Sequence, residues 1–178
     1  MAADRHGSIL NLEDVEFSPR PAGFAPEGAL ADQFEANTAP ISRRIGGREL
    51  GYNVTAIPPG KSAYPFHSHR FNEEMFFILT GNGEVRLGNQ AYPIRRGDFI
   101  ACPPGGPEHA HQIRNTGDEE LRFLAVSTVL SPEINEYPDS GKFGFYADLP
   151  ADSNGEVEYF SFQGRKEMNL DYWDGEGS

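Results

Sequence analysis

The stretch from Gly60 to Gly81 reads GKSAYPFHSHRFNEEMFFILTG. His67 and His69 are two residues apart, so on a β-strand both rings point to the same face of the sheet. Glu74 follows at the start of an apolar strand, from which its carboxylate can reach the same point. Imidazole and carboxylate groups bind divalent Fe, Mn, Ni, Co, Cu and Zn, so the stretch predicts a transition-metal site.

A second stretch, from Gly97 to Asn115, reads GDFIACPPGGPEHAHQIRN and repeats the pattern with His109 and His111. One such pair arises easily by chance. The chain has only 5 His, however, and four of them fall in these two pairs, each beside a strand bounded by Pro or Gly. Two pairs indicate one shared metal site, to which either histidine of the second pair supplies a ligand.

Composition and charge limit the fold and the partners that this chain can have. The 178 residues fit one domain with terminal extensions, and 20 Gly, 14 Pro, 13 Phe and 7 Tyr favour short strands and tight turns. A net charge of -12 and the lack of any long Lys/Arg run exclude a nucleic-acid partner. No apolar run is long enough for a bilayer and no leader is recognised, so we expect a cytoplasmic protein without a membrane role.

Strand-forming segments between turn residues predict an all-β architecture. The predicted strands are Leu50–Ile57, Tyr64–His69, Glu74–Thr80, Glu84–Leu87, Ala91–Arg95, Phe99–Cys102, His109–Arg114 and Leu121–Leu130. Residues 1–45 are interpreted as an arm that packs on a barrel of residues 46–131. Residues 132–178, with a strand-like segment from Glu156 to Phe162, are predicted to pack on that barrel or on the second subunit of a homodimer, because their aromatic side chains would otherwise be exposed.

The two histidine stretches resemble the two motifs of the cupin superfamily. Gly60, His67, His69, Glu74 and Gly81 match the first motif, with six residues between the first two where five are usual. Gly97, Pro104, Gly106, His111 and Asn115 match the second motif, with a slightly longer loop. The matched region covers Gly60 to Asn115, and the resemblance does not account for the two extensions.

The resemblance implies a double-stranded β-helix, or jelly-roll, barrel that binds one divalent transition metal. Its implied ligands are His67, His69, Glu74 and His111, the last because three residues separate it from Asn115. His109 stays open as a pocket acid or base, a partner of a ligand, or the fourth ligand itself.

Other residues are candidates for catalysis or substrate binding. The catalytic candidates are His109, Glu108 and Tyr64, although a loop carboxylate and a packed aromatic ring are the simpler interpretations of the last two. The substrate-binding candidates are Arg114, Phe76 and Ile78. Further arginines that could hold a phosphate or carboxylate are Arg86, Arg95, Arg96 and Arg122. Glu73 is expected to face solvent and Cys102 to be a small buried apolar residue.

Three functions are consistent with a cupin that has this metal site and binds a small molecule. By family analogy, the first is a metal-dependent isomerase of a sugar phosphate. The second is an iron-dependent dioxygenase, and the third is a binding or sensor module without catalysis. Because one carboxylate leaves a divalent ion with net positive charge, we expect the ligand to be anionic or chelating.

Overall fold

The computed structural model describes residues 5–21, 25–150 and 158–177, which form β-strands and short 3₁₀ turns but no α-helix. The strands are β1 (Ser18–Pro19), β2 (Asn37–Pro40), β3 (Leu50–Ile57), β4 (Ser68–His69), β5 (Glu74–Thr80), β6 (Asn82–Leu87), β7 (Gln90–Arg95), β8 (Phe99–Cys102), β9 (His111–Arg114), β10 (Leu121–Thr128), β11 (Glu133–Tyr137), β12 (Lys142–Asp148) and β13 (Tyr159–Gly164). The 3₁₀ turns are Leu12–Asp14, Gly28–Leu30, Ser42–Ile45, Pro107–His109 and Lys166–Met168.

The strands form three antiparallel sheets, and two of them enclose one apolar core. The largest has the order β1-β2-β3-β10-β5-β8, and the others are β13-β12-β11-β4 and β7-β6-β9. Ile57, Ile78 and Phe123 of the large sheet pack in one buried cluster with Val85 and Ile113 of the three-stranded sheet. This is a jelly-roll barrel, which confirms the predicted fold class.

The apolar run that begins after Glu74 forms most of strand β5. Alternate side chains point to opposite faces of a sheet, and Phe76 and Ile78 are buried while Met75 and Phe77 are only half-buried. β5 pairs with β10 on one side and β8 on the other. Glu74, at its first position, therefore lies at one end of the barrel.

The N-terminal segment covers the outer face of the large sheet. Val15 packs there with Ala39 and Val54 in a second apolar cluster, and β1 and β2 continue the sheet beyond β3. β1 and β2 are thus part of the barrel wall.

Two predicted strands begin later than their sequence pattern indicates. The segment from Tyr64 is irregular up to His67, and only Ser68–His69 is a strand, because Pro65 lacks the N–H that a ladder requires. The strand predicted from His109 begins at His111, because a 3₁₀ turn starting at Pro107 occupies the preceding residues.

The C-terminal segment contains two strands that were not predicted, β11 and β12, and a third, β13, that overlaps the predicted strand-like segment from Glu156 to Phe162. β11 pairs with β4 and with β12, and β12 pairs with β13. Glu156, where the strand-like segment was predicted to begin, lies outside the described residues. The aromatic side chains of this segment, Tyr159, Phe160, Phe162 and Trp173, are 41–72% exposed in the single chain. Their burial against a second subunit stays a prediction.

Within the described ranges, no helix has the length and apolar character needed to cross a membrane.

Candidate metal centre

Four of the predicted ligands meet at one point inside the barrel. One nitrogen or oxygen atom from each of His67, His69, Glu74 and His111 lies within 4.8 Å of the other three. The backbones of His67 and His111 hold two of the rings together, because each N–H donates to the other residue's carbonyl, at 3.2 and 2.8 Å. The third ring comes from β4, and the carboxylate from β5.

The donor set suits a transition-metal ion. Ligand atoms that bind one ion at about 2.0–2.2 Å lie at most about 4.4 Å apart, close to the spacing of the four atoms here. Three imidazoles and one carboxylate are typical ligands of Fe, Mn, Ni, Co, Cu or Zn, and fewer than six protein ligands leave coordination positions for a substrate. The cluster can therefore bind one metal ion.

Glu74 is the charged centre of the cluster. Its Oε2 atom lies 2.9 Å from Nε2 of His111 and 3.2 Å from Nε2 of His69. Burial alone would raise the pKa of Glu74, but these two rings hold it well below its usual range. The carboxylate is therefore ionised at neutral pH, as a metal ligand must be.

His67 is prepared to bind through its Nε2 atom. Its Nδ1 donates a hydrogen bond to the carbonyl of Pro65 at 2.8 Å, because a carbonyl oxygen can only accept. Burial, with the nearby ring of His111, lowers the pKa of His67 to about 4. A neutral ring with Nδ1 protonated leaves the Nε2 lone pair available for a metal.

His69 has a carboxylate on each side. Its Nδ1 atom lies 3.8 Å from Oε2 of Glu133, on the side away from Glu74. Burial alone would lower the pKa of His69, but the carboxylates of Glu133 and Glu74 raise it to about 9. Without a metal, His69 is therefore protonated at neutral pH.

Glu133 is fixed in place by the loop that leads into β5. It accepts hydrogen bonds from the backbone N–H groups of Arg70, Phe71 and Asn72, at 2.7 to 3.2 Å, and from the side chain of Asn72. Burial would raise its pKa, but His69 and these donors lower it to about 2. A permanent negative charge thus lies behind the His69 ring.

The cluster borders a cavity of about 260 Å³. Its remaining lining is mostly apolar, with Phe76 and Phe123 among the wall residues. Polar side chains from several strands and loops also line it, and they are Asn53, Tyr64, Gln112, Asn135 and Tyr137. A small ligand in this cavity would have direct access to the four clustered side chains.

Comparisons with known proteins agree with this architecture. The cupin domain family matches residues 53–127. Protein SchB of Streptomyces halstedii is 32% identical over 102 residues, which cover 57% of this chain and 68% of SchB. The chain belongs to the cupin superfamily.

Three further proteins are similar to parts or most of this chain. An oxalate-binding protein of Thermotoga maritima is 36% identical over 74 residues, 42% of this chain and 58% of that protein. A Methanocaldococcus jannaschii relative is likewise matched over only 55% of its length. The solved structure of a candidate sugar phosphate isomerase from Acidithiobacillus ferrooxidans superposes with a TM-score of 0.64 at 25% identity, covering 86% of this chain and 92% of that one.

The catalytic candidates are placed differently within this cupin. Tyr64 lines the cavity, with its ring centroid 6.4 Å from that of His67. His109 lies in the 3₁₀ turn before β9, with its side chain 41% exposed and 3.8 Å from Glu108, and the described cavity wall includes neither residue. The 3₁₀ turn breaks the strand alternation that placed His109 on the same face as His111.

The substrate-binding candidates are also divided. Phe76 forms part of the cavity wall, 5.5 Å from the ring of His111, whereas Ile78 is buried deeper in the core. Arg114 is exposed on β9. Arg86 pairs with Asp139 and Arg122 with Glu120, while Arg95 and Arg96 face solvent. None of these arginines belongs to the cavity lining within the described ranges.

Glu73 and Cys102 are placed as the sequence predicts. Glu73 is exposed, and Cys102 is buried, where burial and the nearby Glu74 raise the pKa of its thiol to about 12. The sequence analysis did not single out Glu133, Asn135 or Tyr137 of β11. These three polar residues are spaced two apart, which places them on one face of a strand. That spacing was the available sequence signal for a strand that faces a polar site.

Proposed function

We propose that this cupin is a metal-dependent aldose–ketose isomerase that acts on a sugar phosphate. The observation that carries the proposal is the cluster of three histidines and Glu74 at the wall of a cavity with several polar side chains. The superposition on the Acidithiobacillus ferrooxidans protein supports the same class of reaction.

The metal would be held by His67, His69, Glu74 and His111, and when bound it supplies a Lewis acid that polarises the substrate carbonyl. The protein supplies polar contacts for the sugar hydroxyls. Asn135 is one such residue, because its buried Oδ1 atom has no hydrogen-bond partner within the described part of the chain. An unsatisfied buried acceptor is costly, and a ligand hydroxyl would satisfy it.

Isomerisation also requires a group that moves a proton between adjacent carbon atoms. The proton leaves C2 of the aldose and is delivered to C1, while the hydroxyl proton passes from O2 to O1. We assign this transfer to Tyr64, which lines the cavity beside the ring of His67: as a phenolate it would take the proton from C2, and the phenol so formed would return it to C1. The apolar walls formed by Phe76 and Phe123 limit the access of water to the intermediate.

The test is an assay of the protein loaded in turn with manganese, iron, nickel or zinc. Aldose and ketose phosphates of three to six carbons are incubated in D₂O and followed by NMR, which detects carbon-bound proton exchange as well as net conversion. We expect metal-dependent conversion of one pair, lost in His67→Ala. Tyr64→Phe should lower kcat at least about tenfold with little change in KM, because general acid–base groups contribute about 10²–10⁴-fold.

Tyr92→Phe is the matched control, since Tyr92 is an exposed tyrosine outside the described cavity wall. Absence of both conversion and deuterium incorporation with every metal and sugar phosphate would refute the proposed reaction. Oxygen consumption by the iron-loaded protein would instead support the dioxygenase, and stoichiometric binding without turnover would support a binding module.

A further inference from the structure

A second, wider cleft adjoins the metal-site cavity. Its volume is about 820 Å³, and it shares Tyr64, Pro65 and Tyr137 with the cavity of about 260 Å³. Arg20 and Lys142 both line this cleft, and its lining within the described ranges contains no Asp or Glu. We call it the entrance cleft, because it shares these three lining residues with the cavity that the clustered histidines border.

The two cations are held in equivalent ways by the two tyrosines. The guanidinium carbon of Arg20 lies 4.8 Å from the Tyr64 ring centroid, and Nζ of Lys142 lies 4.7 Å from that of Tyr137. The Tyr64 and Tyr137 rings are in turn 6.4 and 6.1 Å from the ring of His67. One aromatic ring therefore separates each cation from the metal site.

Arg20 is fixed further by a hydrogen bond that its guanidinium donates to the carbonyl of Ala63. Arg20 directly follows β1, and Lys142 is the first residue of β12. The two cations thus come from opposite ends of the chain and meet at one cleft. Cation–π contacts orient both side chains and leave N–H groups for other partners.

The charge balance around the entrance cleft differs from that of the whole protein. The chain carries a net charge of -12, with 27 acidic residues available as partners. Some of the other cations use them, as in the pairs Arg86–Asp139 and Arg70–Glu136, at 2.8 and 2.7 Å. Among the residues that the structure describes, neither Arg20 nor Lys142 forms an ion pair.

Two unpaired cations that converge on one cleft create a local positive potential in an acidic protein. Such a potential attracts and orients an anion, and Arg is well suited to bind phosphate oxygens through two N–H groups. We propose that Arg20 and Lys142 bind the phosphate monoester of the substrate while its carbonyl end lies at the metal site. The identity of the ligand as a sugar phosphate rests on the proposed function.

The test compares two ligands that differ only in the phosphate group. Calorimetric titrations of the zinc-loaded protein with fructose 6-phosphate and with fructose separate phosphate binding from sugar binding. Arg20→Gln and Lys142→Gln should each weaken fructose 6-phosphate binding about tenfold or more, because hydrogen bonds between charged groups are stronger than those between neutral groups. Fructose binding and zinc affinity should stay unchanged, and Arg20→Lys should recover part of the loss.

Arg96→Gln and Lys166→Gln are matched controls, because both side chains are exposed and lie outside the entrance cleft. Wild-type affinity for fructose 6-phosphate in the double variant Arg20→Gln/Lys142→Gln, or equal losses in the controls, would overturn the proposal. The absence of any preference of the wild type for fructose 6-phosphate over fructose would also overturn it.

Different results would refute the proposed isomerase reaction and the proposed phosphate site. Phosphate binding that depends on Arg20 and Lys142, without isomerisation of any sugar phosphate, would refute the reaction and leave the anion site. An active isomerase whose KM is unchanged in the double variant would refute the anion site and leave the reaction.

Discussion

Nδ1 of His69 lies 3.8 Å from Oε2 of Glu133, so a carboxylate from the C-terminal segment is placed behind a ring of the candidate metal site. β11 brings the two residues together by pairing with β4. The separation is longer than a hydrogen bond, so Glu133 acts on the ring through its negative charge, which raises the pKa of His69 and makes the ring more basic. The C-terminal segment therefore contributes to the site itself, through Glu133 and through the cavity residues Asn135 and Tyr137.

Replacement of Glu133 by Gln should weaken metal binding although Glu133 is not in the ligand cluster. Loss of a carboxylate beside a ligand ring reduces metal affinity about 10–100-fold, because the ring is less basic. Competition with a chromogenic chelator measures the change. Glu136→Gln, on the same strand, removes only a partly exposed ion pair with Arg70 and should change affinity little. Equal effects of the two variants would show that Glu133 acts only through the local structure.

Metal affinity should depend on pH through His69. The carboxylates of Glu133 and Glu74, acting against burial, raise the pKa of His69 to about 9, so a metal ion must displace a proton below that pH. We expect affinity to rise by up to about tenfold per pH unit as pH increases towards 9 and then to level off. Zinc competition titrations, corrected for chelator protonation, measure this slope. Glu133→Gln should shift the plateau to lower pH, and a flat profile would contradict the assignment.

The same proton affects the stability of the metal-free protein. A raised pKa in the folded state stabilises the fold fully below the ordinary value of 6.5, and this contribution is lost as pH rises to about 9. Urea denaturation of the metal-free protein should therefore show a decrease in the free energy of unfolding over this range. A decrease that is unchanged in His69→Ala would show that another group causes it.

The all-β architecture and three of the four clustered residues could be predicted from local patterns, whereas the choice of His111 over His109 came from the resemblance to the cupin motifs. His67 and His69 are spaced for one strand face, and Glu74 opens an apolar strand. Prolines caused the errors in the predicted starts of two strands, since Pro65 and Pro107 interrupt the alternation on which these predictions depended.

Strand β11 was not predicted, for a different reason. Glu133, Asn135 and Tyr137 place polar groups on the face that borders the site, so the segment lacks the apolar alternation of a core strand. The role of Arg20 depends on a distant contact with Tyr64, which no local pattern encodes. Residues from both extensions could therefore be recognised only after the chain was folded.

Gly81, the last residue of the first motif, should resist substitution for two separable reasons. Its φ is +80°, and an added Cβ would lie 2.7 Å from the carbonyl oxygen of Glu120. Gly97 has a φ of +94° but open space around it, so Gly97→Ala measures the backbone strain alone, about 1–2 kcal/mol. Gly81→Ala should lose about 1–3 kcal/mol more through the clash. Urea denaturation compares the two variants, and equal losses would contradict the predicted clash.

The two histidines of the second motif should behave differently when each is replaced by alanine. The side chain of His111 is 4% exposed and lies 2.9 Å from Glu74, whereas that of His109 is 41% exposed in a 3₁₀ turn. His111→Ala removes one clustered donor and one of the two rings beside Glu74, so we expect loss of bound metal. His109→Ala should keep one metal ion per chain, because its ring contributes no atom to the cluster. Elemental analysis of protein purified without chelators measures both contents. Retention of metal by His111→Ala together with its loss in His109→Ala would reverse the ligand assignment and require the turn from Pro107 to rearrange when metal binds.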